Sequence, residues 1–216
     1  MSLCSRVLLF AALVLLLCAT GCRSTYYAFW EKLGKEKRHL LRDQVEKAGS
    51  DQQRAAEEFK DVLTRIKEAY GLDGGDLEKF YSKLTSDYAQ CEDRAEAVRA
   101  RIGKVERLGG DLFKEWEQEI DQISSPELRS KSRQNYTTTQ RRFERLRQAM
   151  TRAAARMDPV LTQLKDYVLY LKHNLNAQAV GALRAEADDI QLEIGRLIED
   201  IGRSVAEAEA FVRTLE

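Results

Sequence analysis

Proline is almost missing from this chain: two occur in 216 residues, Pro126 and Pro159. So few breakers exclude a loop-rich all-β fold with frequent turns and leave room for very long helices. Histidine is equally scarce, with His39 and His173 only. Glu36 and His39 have the Glu-x-x-His spacing of di-iron bundles, but His173 has Tyr170 three positions before it. The second ligand pair that such a centre requires is therefore lacking, and no metal or cofactor is expected. The sequence also lacks a G-x-x-x-x-G-K-[ST] loop, a G-x-S-x-G elbow and an H-E-x-x-H pair, so no motif unites a nucleophile with a base. Asp73 to Asp76 resembles part of a calcium loop without its alternating ligands and closing glutamate, and reads as a turn. No catalytic residue is expected, and the chain reads as a non-enzyme.

An excess of charge of either sign is absent too. Thirty-five basic residues balance thirty-five acidic ones, which argues against a general nucleic-acid binder. What is abundant is Ala, Leu, Glu, Arg and Gln, the composition of long helices and coiled coils.

The N-terminus differs in kind. Arg6 precedes eleven uninterrupted apolar residues, Val7 to Leu17. As a helix they rise only about 16 Å, too short for a hydrocarbon core of about 30 Å. A charged start, a short apolar run and a small-residue exit predict a secretory signal. Ala19-Thr20-Gly21-Cys22 resembles the lipobox of bacterial lipoproteins, with Ala19 where a larger aliphatic residue is usual. The resemblance implies that Cys22 receives the lipid and begins the mature chain. Several acyl chains would then hold the protein stably at a membrane. Arg23 stands where an aspartate often signals inner-membrane retention, so the resemblance implies an outer-membrane lipoprotein facing the periplasm. Cys4 and Cys18 leave with the signal and Cys22 is modified. That leaves Cys91, which falls on an apolar seam and is expected to be a buried, inert thiol.

Beyond Trp30 the apolar positions fall into four runs. The cleanest is Leu77, Tyr81, Leu84, Tyr88, Cys91, Ala95, Val98, Ile102, Val105, Gly109, Leu112, Trp116, Ile120 and Ile123. Alternating steps of four and three are a helical seam of the coiled-coil kind. The first run goes from Leu33 to Ala69, with polar Lys37 and Gln52 in two slots; the third from Leu128 to Leu171; the fourth from Ala179 to Leu215. "GLDGGD" (71–76), with Asp76 as cap, and "SSPE" (124–127), with Ser125 as cap and Pro126 at the first helical position, separate the first three. "LKHNLNAQ" (171–178) gives the third break, with a continuous helix through Asn174 as the alternative. Asp158-Pro159 kinks the third helix or restarts it.

Helices over 26–70, 76–123, 126–172 and 177–215 would each span about 60–70 Å. The expected fold is all-α: an elongated antiparallel four-helix bundle or coiled coil of long helices. Residues 1–21 form the signal, 22–25 the anchor and short tether, and 26–216 the bundle domain. Retracing the first turn brings Trp30 to Trp116 and Ala55 to Cys91. The aromatics Tyr26, Tyr27, Phe29 and Trp30 lie beside the anchor, placed either among headgroups or across the bundle's lower end.

Between Arg129 and Arg156 nine basic residues face one acid, Glu144. Arg129, Lys131, Arg133, Arg141, Arg142, Arg145 and Arg147 are the candidate anionic-surface contacts. Residues 111–127 and 183–216 are acidic, however. The stripe therefore reads either as pairing with neighbouring helices or as a lipid-facing surface.

"YYAFWEKLGKEKRHLL", "DGGDLEK", "ARMDPVL" and "LKHNLNAQAV", in this order, resemble a family of bacterial lipoproteins called domain of unknown function 2959. The resemblance spans residues 22 to 216 and implies a helical envelope lipoprotein; it carries over no catalytic residue. The expected role is that of a periplasmic scaffold or spacer, held to the membrane by lipid and showing its distal turns to envelope proteins. An anionic-lipid-binding or membrane-shaping protein is the alternative.

Overall fold

A computed structural model describes residues 37–69 and 76–215. The chain divides into two units, Met1–Leu40 and Leu41–Glu216; in the first, only the opening turn of a helix, Lys37 to Leu40, is described. The signal, Cys22, the four aromatics including Trp30, and residues 71–75 of the first turn lie outside the described residues.

Among the described residues six helices follow one another: α1 Lys37–Ala69, α2 Leu77–Gln122, α3 Pro126–Ala155, α4 Met157–His173, α5 Ala177–Ala185 and α6 Ala187–Val212. The described residues contain no strand. The 46 residues of α2 run without a break, as its continuous seam predicts. Ser125 caps α3 as expected, its hydroxyl accepting from Leu128 N, with Pro126 at the helix start. Asp76 precedes α2 without a side-chain cap bond; its carboxylate lies 3.7 Å from Lys79 instead.

The third and fourth runs are each interrupted once. Arg156 ends α3, and α4 restarts at Met157 with Pro159 in its first turn, where the missing N–H costs no internal bond. The chain also breaks at Asn174 to Asn176. Asn174 Nδ2 donates to Tyr170 O (2.9 Å), while Asn176 Oδ1 accepts from the N–H groups of Gln178 and Ala179 at 3.0 and 3.1 Å. Between α5 and α6 Glu186 makes a further interruption that the apolar spacing did not foretell.

In the second unit the runs pack antiparallel. Arg65 and Arg101 of α1 and α2 mark one ladder: Arg65 bonds Asp87, and Arg101 Nε bonds Asp51 (2.9 Å). Ala55 and Cys91, expected to meet, are both fully buried, but these two rungs set Ala55 level with about residue 97. Trp116 Nε1 donates to Ser132 (3.1 Å) between α2 and α3, and Phe143 of α3 meets Phe211 of α6 at 5.5 Å. Ser204 of α6 donates to Gln52 Oε1 (2.7 Å), while Gln52 Nε2 approaches Met150 O (3.5 Å) across the core. The two flanks of α3 thus face α2 and α6, and α1 lies across the core.

The seam residues Phe59, Leu84, Cys91, Leu146, Leu164 and Leu197 are buried. Leu128, expected to open the third run of the core, is instead 59% exposed. It lies about five turns before fully buried Leu146, on the same side of α3. The difference is coverage: α6 ends at Val212, level with Phe143, so it flanks Leu146 and not Leu128. Phe80, Phe113 and Tyr167 join the core from positions just off the expected seam.

Candidate functional site

The basic run on α3 is divided by helix geometry into two faces. Residues 129, 133 and 147 lie toward α2, whose acids run antiparallel to them. Arg133 Nη2 donates to Asp121 (2.8 Å) and Nη1 to Glu117 (3.5 Å). Arg147 forks onto Glu144 (2.8 and 2.6 Å) and lies 3.5 Å from Glu106. Arg129 Nε donates to the Ile123 carbonyl at 2.8 Å, closing the α2–α3 turn. Lys131 is held by Glu127 one turn earlier (2.8 Å). Four of the seven singled-out residues are therefore engaged. The forked hydrogen bonds from Arg147, helped by Gln148, pull the Glu144 carboxyl down to about 2, and the same pairing raises Arg147.

The other three, Arg141, Arg142 and Arg145, are exposed and form no ion pair among the described residues. Arg152, not among the seven, is a fourth: exposed, on the Arg141 and Arg145 face, and likewise without an ion pair among the described residues. Its spacing of seven from Arg145 was the signal available in the sequence. Arg156, the last of the run, is tied to Asp200 (3.1 Å) and Glu193 (3.9 Å) of α6.

Arg142 and Arg145 line an open cleft of about 350 Å³ against the end of α6, with Glu207, Phe211, Arg213 and Thr214. Toward the start of α3, Arg129, Arg133 and Arg141 line a shallower surface with Gln134, Thr137 and Thr138. Exposed guanidinium groups interleaved with hydroxyl and amide donors are able to contact several anions at once.

Elsewhere the ionisable groups are held rather than poised. Burial, then the nearby Glu58 and Asp87 carboxylates, push the Cys91 thiol up to about 12 against the opposing Arg65. The fully buried thiol is thus protonated at neutral pH, not a nucleophile. Burial and the hydrogen bond to Glu92 raise the Tyr88 phenol to about 12. It lines an open groove with Glu92, Asp93, Glu96 and Asp158, the last bonded by Arg99. His39 and His173 are both exposed. Among the described residues no three His, Cys, Asp or Glu side chains are grouped as a metal site, and no helix is long and apolar enough to cross a membrane.

The described residues of the second unit thus form an all-α antiparallel bundle of long helices bearing an exposed arginine face. The chain belongs to the family described as Protein of unknown function (DUF2959), whose model matches residues 26–215. No curated protein and no solved structure matches the chain.

Proposed function

We propose that this protein is a non-catalytic lipoprotein of the bacterial envelope, anchored through Cys22 to the outer membrane and facing the periplasm. There it serves as a helical scaffold or spacer for protein partners. One observation supports the role above others: the apolar seams are buried between helices and a series of ion pairs crosses from one helix to the next. Seam residues such as Val45, Phe59, Leu84, Val98, Leu146 and Leu171 are packed, and ion pairs stitch α1 to α2, α2 to α3 and α3 to α6. Long helices packed this way resist bending, because displacing one would open buried surface on its neighbours. A stiff bundle can hold its two ends at a set separation. The lipobox-like "ATGC" supports the anchor.

Cys22→Ser should abolish acyl labelling and release the chain from the membrane fraction. Shortening the turns at 71–76 and 173–176, with helicity checked by circular dichroism, should abolish in-cell crosslinks from these ends. Crosslinks that persist unchanged would overturn the assignment of partner contact to the turns.

A further inference from the structure

We infer that the outward face of α3, carried by Arg141, Arg142, Arg145 and Arg152, is a docking surface for an anionic lipid bilayer approached side-on. The inference deepens the anchored reading by adding a second membrane contact and orienting the bundle.

The argument rests on how the basic run is divided. Arg133 and Arg147 have their charges met by α2 acids, and Arg129 is bonded to a carbonyl. The four outward arginines form no ion pair among the described residues, although Glu207 of α6 lines the cleft beside Arg142 and Arg145. Arg141, Arg145 and Arg152 step by four and seven, which keeps them on one side of the helix, with Arg142 at its border toward α6. Gln134 and Thr138 continue the same side and offer neutral donors. Of the acids of α3 nearest this side, Glu127 is bonded to Lys131 and Glu144 to Arg147.

Arg141 to Arg152 spans about 16 Å of α3. The guanidinium groups project from a convex helix rather than converging, so they match a laterally extended array of anions better than one small ligand. A charge-balanced chain and a face one helix wide disfavour nucleic acid, which rewards a broad basic surface. Arg141 also lies about 22 Å along α3 from Pro126. A bundle standing on its α2–α3 turn would hold this face away from the bilayer. A bundle lying on α3 brings all four residues to the headgroups and turns α1, across the core, away from the bilayer.

The test uses the full chain with Cys22→Ser, floated with phosphatidylcholine vesicles with and without phosphatidylglycerol. Binding should be greater on the anionic vesicles, and the excess should shrink as salt rises. Each single Arg→Gln change on the face should cut the excess about fivefold, and all four together should remove it. All four changed to Lys should retain most of it. Arg133→Gln with Arg147→Gln should leave most of it. No anionic excess, equal loss from the paired and unpaired sets, or equal retention on a DNA duplex would overturn the assignment. The acylated chain run alongside separates the two readings: a failed anchor appears as lost binding to neutral vesicles, a failed face as a lost anionic excess.

Discussion

Gly109 and Gly110 adjoin in the middle of α2, and replacing each with alanine should move stability in opposite directions. Alanine is better than glycine inside a helix by about 1 kcal/mol, because it restricts the unfolded backbone. At Gly110 an added Cβ meets nothing within 4 Å, so Gly110→Ala should gain about 0.5–1 kcal/mol. At Gly109 the same atom would sit 2.0 Å from Phe143 Cζ and 2.6 Å from both Cε atoms. Carbon atoms in ordinary contact are about 3.5–4.0 Å apart, so the ring must withdraw by about 1.5 Å. It has little room: Phe143 is 7% exposed and packed between Phe113 (5.4 Å) and Phe211 (5.5 Å). Overpacking of this kind costs about 1–3 kcal/mol or more and outweighs the helix gain. Gly109→Ala should therefore destabilise by about 1–2 kcal/mol net. Urea unfolding at unchanged slope gives both values, and the melting temperatures should separate by several degrees. Phe143→Leu should relieve the clash, giving a favourable coupling of about 1 kcal/mol in the double-mutant cycle. A gain at both glycines, or strict additivity with Phe143→Leu, would refute the close approach of α2 and α3 at this level.

Two further outcomes follow from buried polar groups. Ser204→Ala leaves Gln52 Oε1 without its 2.7 Å donor in a fully buried layer and should cost about 1–3 kcal/mol; Gln52→Leu with Ser204→Ala should recover much of that in the same unfolding assay, and a larger loss in the double variant would contradict it. Burial works to raise the Asp200 carboxyl, but the hydrogen bonds of Arg203 (2.6 Å) and Arg156 (3.1 Å) win and hold it below its ordinary value. A depressed carboxylate contributes stability above its unfolded pKa near 3.8 and loses it as pH falls through the lower folded value. Acid should therefore weaken the wild-type protein below about pH 4, and Asp200→Asn should flatten that limb while lowering stability at neutral pH; parallel pH profiles would contradict the pairing.

Much of the helical architecture is legible in the residues. The four-three spacing from Leu77 to Ile123 marks α2 nearly to its ends, because one buried stripe on a 3.6-residue period leaves few other placements. Ser125-Pro126 and Asn176 mark helix starts through local hydrogen bonds that need no distant partner. Leu128 and the Glu186 break were not legible. A leucine at a seam position is buried only where another helix covers it, and the length of α6 decides that for Leu128. The basic stripe was readable as composition, but its division was not. Arg133 and Arg141 are alike in sequence and differ in whether an acid from α2 lies across from them.

The sequence by itself determined which segments become helices and which side of each is apolar, since propensity, capping and period act within a few turns. Tertiary structure alone decided which charges are neutralised, which leucine stays wet and which of two adjacent glycines is indispensable. Each of those outcomes depends on the antiparallel register that brings residues from distant parts of the chain to one level. Coulomb attraction, burial and van der Waals contact act across space rather than along the chain.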